Sequence, residues 1–325
     1  MYRWNVFFFL LPALLLFVSI LIAPIFMSAF YSMLDMRSSA DFNKPLSELK
    51  FIGFQNYTTL FSPKLAGSAL DNVDYIGGAL VNALLLAFLS VFIQLPIALL
   101  VALRLGKGVR GERAYLSIFF MPVLISTVII GQLWLRIYSD PSAEVPGILN
   151  AGLHSLGIDK WLFPWINSHI TSSKTVFTGQ WLGFKETALA AAFVPLLWQY
   201  IGYHMLLMYA GVKGVPTDLL EAGRLDGCTE WQLNRHIVIP YIKPILRVCV
   251  IFAVTGSFKS FDLVYELMHH QTENAELPTT LMFRLLYKKF LYGQGSAVAV
   301  ILIILCFVFA LLINLLFRNR GEKVA

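Results

Sequence analysis

Charge is scarce in this chain of 325 residues: Asp, Glu, Lys and Arg make up 14%, against roughly a quarter of an average soluble domain. That shortage excludes an ordinary water-soluble globule. Cysteine is scarce too. Cys228, Cys249 and Cys306 stand far apart with no C-x-x-C, so neither a zinc site nor a disulfide framework is written here. No G-x-x-x-x-G-K-[ST] phosphate loop occurs. Its nearest approach, Gly106-Lys107-Gly108, lacks both the glycine spacing and the Ser or Thr, so the chain is not an ATPase of that kind. No Ser-His-Asp or G-x-S-x-G arrangement offers a nucleophile. His269, His270 and Glu273 are close in sequence but lack H-E-x-x-H spacing and a third histidine, which fits a polar loop better than a metal site. The net charge of +6 is scattered between apolar runs and forms no basic stripe, which argues against nucleic acid as a partner.

What the chain has instead is apolar length. Hydrophobic residues make up 58%, and the mean hydropathy is +0.70. A spanning helix needs about 20 mostly apolar residues. Six stretches qualify, at 6–34, 76–103, 114–138, 187–212, 245–268 and 296–317, which predicts an all-α integral membrane protein with six transmembrane helices. The first run has a basic residue, Arg3, ahead of it, as a signal peptide would. Its apolar part nevertheless continues past Pro24 to Leu34, longer than a signal h-region, so an uncleaved first span is expected. No internal repeat, low-complexity tract or linker appears, and a single membrane domain over 1–325 is the expectation.

The basic residues carry an orientation. One set of connecting segments (the start, 104–113, 213–247 and the end) holds thirteen basic residues against six acids, and the opposite segments are longer and richer in acid. The positive-inside rule then places both ends of the sequence, the 104–113 loop and the 213–244 loop in the cytoplasm. The outer loop at 139–186 is rich in Trp, Pro and Gly, and is expected to fold against the membrane surface.

The spans are not plain apolar cylinders. Pro12, Pro24, Pro96, Pro122 and Pro195 interrupt them, and Ala98, Ala102 and Gly106 recur every fourth residue as a small face for close helix contact. Polar groups fall mid-span: Asn82, Gln94, Gln132, Gln199, His204, Thr255, Ser257, Lys259, Ser260 and Asp262. Helix–helix hydrogen bonding and a polar solute path are both compatible with such groups. Lys259 and Asp262, three apart, are placed to neutralise each other on one helical face. As candidate path residues we take Gln132, Gln199, Tyr203, Ser257, Lys259 and Asp262.

The segment 213–244, KGVPTDLLEAGRLDGCTEWQLNRHIVIPYIKP, is too polar to span yet dense with helix signals. Pro216 suits a first turn, with Thr217 and Asp218 at the positive end of the dipole. Gly227 supplies a stop, and Thr229 with Gln232 forms a capping box opening a second short helix, which ends before Pro240. Two short helices with a bend are predicted. An interfacial hairpin on lipid headgroups, a DNA-binding helix-turn-helix and a docking knob for another chain all fit that outline; the interleaved acids disfavour DNA.

Glu221-Ala222-Gly223, Asp226-Gly227-Cys228 and Ile237-Val238-Ile239-Pro240 resemble the EAA loop of the permease subunits of binding-protein-dependent ABC importers. That family writes Glu-Ala-Ala, Asp-Gly-Ala and Ile-x-Leu-Pro at the same spacing. FKSFDLVYEL at 258–267, YGQGSAVAV at 292–300 and FIGFQNYTTLF at 51–61 resemble stretches of its sugar-type branch, so the likeness runs from residue 51 to the end. HHQTENAELP departs from the Gly-Gly-Pro usual after the fifth span. The resemblance implies a non-enzymatic permease in a bacterial inner membrane. It implies coupling helices that dock on ATP-binding cassette subunits, with Glu221 and the small residues Ala222 and Gly223 at the contact. Arg224, Asp226, Gly227 and Pro240 complete the loop, with Gly227 at the bend. It further implies ATP hydrolysed by the partner with no cofactor on this chain, a second and different permease, and an extracytoplasmic solute-binding protein that delivers a sugar, oligosaccharide or related solute. An ion-coupled secondary transporter and a membrane-embedded enzyme are the alternatives. The first calls for matching halves and intramembrane carboxylates, of which Asp262 is the evident one.

Overall fold

A computed structural model of the chain describes residues 2–62, 76–138, 148, 152, 155–157, 187–267 and 276–318. The outer-loop expectation for 139–186 and the His269, His270 and Glu273 cluster lie almost wholly outside these residues. The described part is helical, and its β structure is one isolated bridge, Leu34 to Phe51. By length and composition three helices suffice to cross a membrane: α1 (Phe8–Tyr31), α3 (Ile76–Leu105) and the carboxy-terminal α11 (Tyr292–Phe317). Two bent pairs raise the number to five: α4 (Glu112–Leu124) with α5 (Thr127–Ile137), and α8 (Glu230–Tyr241) with α9 (Lys243–Lys259). The fourth predicted span is α6 (Thr187–Lys213), a continuous helix of 27 residues, about 40 Å long. Gln199, His204 and several tyrosines make it less apolar than the others.

Prolines shape these helices in a regular way. Wide π-turns at Phe17–Ile22, Ser90–Gln94 and Asn234–Val238 each run directly into a turn whose second residue is Pro24, Pro96 or Pro240. There the backbone amide reaches five residues back, as from Leu95 to Ser90 and from Ile239 to Asn234. The widened turn gives the proline ring room where an α-turn would press it on the carbonyl four residues earlier. For this reason the second loop helix does not end before Pro240, as the sequence predicts; it continues through Pro240 to Tyr241.

The expectation of one helix over 114–138 is also corrected. It breaks by 96° between Leu124 and Thr127, where Ile125 and Ser126 are extended. The surrounding VLISTVII run is rich in β-branched residues, which lowers the local helix preference. The fifth predicted span breaks too. Ser260 is extended after α9 (ψ 124°), and the helix restarts as α10 (Asp262–Leu267), so Lys259 and Asp262 do not share a helical face. No ion pair joins them among the described residues.

The chain divides into two compact units. One comprises Met1–Leu80 with Pro278–Leu305. In it the short helix α2 (Gln55–Phe61) carries the buried Asn56, whose Nδ2 donates to the carbonyls of Ser32 (2.8 Å) and Leu34 (3.0 Å). Tyr57 and Ser32 hydroxyls meet at 2.7 Å. Gly293 packs so closely that a Cβ there would lie 2.4 Å from the Leu34 carbonyl oxygen. Two sequence-distant motifs, FIGFQNY and YGQGSAV, thus meet at one place. Asn56→Leu strands both carbonyls, and we expect a loss of about 1–3 kcal/mol, read as a lower thermal midpoint of the detergent-purified protein.

The other unit comprises Val81–Leu277 with Cys306–Ala325. Its core forms where α3 lies along α6. Ala98 and Ala102 are fully buried against Ile201, Met205 and Met208, and a Cβ on Gly106 would fall 2.4 Å from Val212 Cγ1. This is the small-residue face read from the sequence.

Candidate functional site

Two places in this second unit bring functional side chains together. The first is a cavity of about 470 Å³ among α3, α4, α6, α9 and the two helix breaks. Aromatic rings of Tyr200, Tyr203, Phe252 and Phe261 line it, together with Ser90, Gln94, Thr127, His204, Ser257, Lys259 and Asp262. Four of the six path residues read from sequence, Tyr203, Ser257, Lys259 and Asp262, therefore stand in its wall. Gln199 and Gln132 do not. Gln199 is buried beside the cavity and donates to Thr127 Oγ1 at 3.3 Å, while Gln132 turns to Glu266.

Polar satisfaction inside this region is incomplete. Ser257 gives its hydroxyl to the Ala253 carbonyl (2.8 Å) and Thr255 to that of Ile251 (2.7 Å), both within their own helix. Asn82 donates to the Glu276 carbonyl at 3.0 Å. Gln94 Nε2, Gln199 Oε1, His204 Nδ1 and Trp134 Nε1, by contrast, are buried without a hydrogen-bond partner among the described residues. An unmade bond of this sort costs about 1–3 kcal/mol. Gln94 and His204 also line the cavity, so polar capacity is concentrated at its wall. Both were visible as mid-span polar residues, but spacing alone did not separate them from helix–helix contacts.

The second place is the loop hairpin formed by α7 (Thr217–Leu225) and α8. Pro216 sits at the N-cap of α7, one position earlier than predicted. Gly227 adopts the left-handed conformation (φ 79°). Cys228 N–H donates to the Gly223 carbonyl and Gly227 N–H to that of Arg224, both at 3.0 Å, which is a Schellman ending. The capping box is formed as read: Thr229 N–H donates to Gln232 Oε1 (2.7 Å), and Gln232 N–H to Thr229 Oγ1 (3.4 Å).

Gly223 is buried inside this hairpin, where a Cβ would meet Leu233 Cδ2 at 2.6 Å and Ile237 Cδ1 at 2.7 Å. It keeps the two helices together, and differs in this from the outward contact expected of it. Glu221 and Ala222 face out. Val215, Val238 and Ile242 pack with Leu103 and anchor the hairpin to the end of α3. Its outer face shows Leu225, 89% exposed, and Trp231, 62% exposed; neither stood out in the sequence.

Charges tie the hairpin to the 104–113 loop. Glu230 accepts from Lys107 Nζ at 2.9 Å and lies 3.5 Å from Arg224 Nε. Arg224 thus turns to Glu230 and not to Glu221. The Lys107 ammonium, with Arg224 behind it, holds the Glu230 carboxyl below its ordinary range. The tie is therefore complete at neutral pH and is lost only as pH falls through that lowered value. Nearby, Glu112 accepts from the Tyr209 hydroxyl and pairs with Lys213 at 3.3 Å.

Comparison with known proteins places this geometry. The sequence matches the family described as "Binding-protein-dependent transport system inner membrane component" over residues 94–321, which includes the hairpin and every cavity residue named above except Ser90. The chain is 30% identical to the diacetylchitobiose uptake system permease protein NgcF of Streptomyces coelicolor, over 96% of this chain and 82% of that one. It is 27% identical to the probable starch degradation products transport system permease protein AmyD of Thermoanaerobacterium thermosulfurigenes, over 91% and 88%. Its fold is similar to that of a chain in the crystal structure of a bacterial alginate ABC transporter in complex with alginate pentasaccharide-bound periplasmic protein. There the TM-score is 0.75 at 20% identity, over 100% of this chain and 97% of that one.

Proposed function

The chain belongs to the family of binding-protein-dependent transport system inner membrane components, and on that premise we propose that it forms half of the solute path of an ATP-driven importer for a sugar, oligosaccharide or related hydroxyl-rich solute. It is a multi-pass permease and not an enzyme. The observation that carries the solute class is the cavity, where four aromatic rings stand beside unpartnered polar atoms. Sugars present apolar faces that stack on such rings and hydroxyls that fill such bonds. The relatives above are named for uptake of diacetylchitobiose and, as a probable assignment, of starch degradation products, in keeping with that chemistry.

In this reading the chain crosses the membrane six times, with both ends of the sequence and the hairpin in the cytoplasm, as the distribution of basic residues directs. The hairpin docks on an ATP-binding cassette subunit through Glu221, Ala222, Leu225 and Trp231. Gly223, Gly227 and Pro240 give it shape, and Arg224 braces it through Glu230. The partner hydrolyses ATP, a second and different permease completes the path, and an extracytoplasmic binding protein brings the solute.

Cys228 stands at the bend of the hairpin with a free thiol. A thiol-anchored photo-crosslinker on Cys228, in native membranes of a strain with Cys249 and Cys306 replaced by serine, is expected to capture a protein bearing a phosphate loop. Capture of lipid alone would mean that the hairpin lies on headgroups and that the docking reading is wrong.

A further inference from the structure

A second carboxylate within the predicted fifth span, Glu266, stands on α10. The structure gives it a partner 134 residues away. Gln132 Nε2, on α5, donates to Glu266 Oε1. The approach depends on the neighbouring glycine: a Cβ on Gly131 would lie 2.6 Å from Glu266 Cγ and 2.9 Å from its Cβ. Beside the polar contact, Ile130 and Leu135 of α5 and Leu263, Val264 and Leu267 of α10 are buried.

Each of these half-helices is cut from its parent by extended backbone, α5 at Ile125–Ser126 (ψ 139° and 133°) and α10 at Ser260 (ψ 124°). A broken i→i−4 ladder transmits little stiffness, so α5 and α10 are tied more firmly to each other than to α4 and α9. Both breaks face the cavity: Val123 and Thr127 line it from one, and Lys259 to Leu263 from the other. A rotation about the two breaks together reshapes the cavity wall; the buried core at Ala98, Ala102, Met205 and Met208 holds no residue of α5 or α10, and α6 meets α5 through Trp198 on Trp134 and Gln199 on Thr127.

We propose that α5 and α10 move as a single lid over the cavity, and that Glu266 is the positioning residue that clasps them, through Gln132 and in the notch left by Gly131. This rests on the importer reading. Few-residue breaks that absorb backbone rotation are how domains hinge, and a packed pair of short helices is the rigid part that such hinges carry. A clasp of this kind makes the lid open as one body, so that solute delivery and ATP use stay linked.

The test uses the reconstituted complex of this chain with its ATPase, second permease and binding protein, in a background free of native cysteines. Gln132→Cys with Glu266→Cys is bridged by a short reducible bis-thiosulfonate. The bridged complex is expected to retain at least half of the uptake measured after reduction. Uptake below half, restored by reductant, would mean that α5 and α10 part during transport and would overturn the lid. Glu266→Leu is expected to lower the ratio of solute-stimulated to basal ATP hydrolysis at least threefold. The exchange Gln132→Glu with Glu266→Gln restores the acceptor and donor in reverse, and is expected to recover that ratio. An unchanged ratio in Glu266→Leu would overturn the clasp. A parent complex with no ATP-dependent uptake would overturn the importer reading, and the lid with it.

Discussion

Gly202→Ala should leave little or no protein in the membrane. The added Cβ would lie 1.9 Å from the carbonyl oxygen of Phe119, 2.6 Å from its carbonyl carbon and 3.1 Å from Phe120 Cα. All three are backbone atoms of α4, so no side-chain rotation relieves the overlap, and α4 and α6 must separate where they cross. Overpacking a close-packed interior costs about 1–3 kcal/mol when side chains yield. A clash against backbone exceeds that, and marginal stability leaves few kcal/mol to lose. Gly78→Ala is the matched control. Nothing lies within 4 Å of a Cβ there, and alanine favours the helix by about 1 kcal/mol. Immunoblots of membrane fractions should show the second variant at parental level and the first nearly absent; equal levels would contradict the close crossing of α4 and α6.

The second large effect is functional. Gly227→Pro should leave the protein in the membrane yet abolish ATP-coupled uptake. Proline fixes φ near −65°, whereas Gly227 stands at +79°, and proline also removes the amide that donates to the Arg224 carbonyl. The hairpin is then unable to turn as it does, while the core around Ala98, Ala102 and Met205 is untouched. Gly227→Asn is the milder companion, since asparagine tolerates the left-handed region, and it should keep a substantial part of uptake. Transport assays on whole cells, normalised to membrane protein, separate these outcomes. Parental uptake by the proline variant would show that the bend carries no force.

These expectations lean on features that differed in how plainly the sequence spelled them. The hairpin was legible almost residue by residue, because a capping box and a left-handed glycine are local devices with local signatures. The four-residue spacing of Ala98, Ala102 and Gly106 announced a close helix contact for the same reason, though not that α6 would make it. The breaks at Ile125–Ser126 and Ser260 were not legible, since hydropathy sums over a window and does not register two extended residues inside it. Gln132 read as a path residue because its partner, Glu266, comes from a distant segment. Gly223 read as a docking surface, whereas only the packing of Leu233 and Ile237 shows that it faces inward. Pairings across more than a hundred residues are set by tertiary packing, and a single sequence carries no local trace of them.

Energy coupling through the hairpin is what makes this chain part of an importer. The most direct test is accumulation of labelled oligosaccharides and polyols in proteoliposomes containing this chain, its ATP-binding partner and its second permease, with binding protein and ATP supplied separately. Accumulation of at least one such solute that requires both ATP and binding protein, and that vanishes with Gly227→Pro, is the predicted result. Uptake by this chain without an ATPase, driven by an ion gradient, would contradict it and would make the protein a secondary transporter.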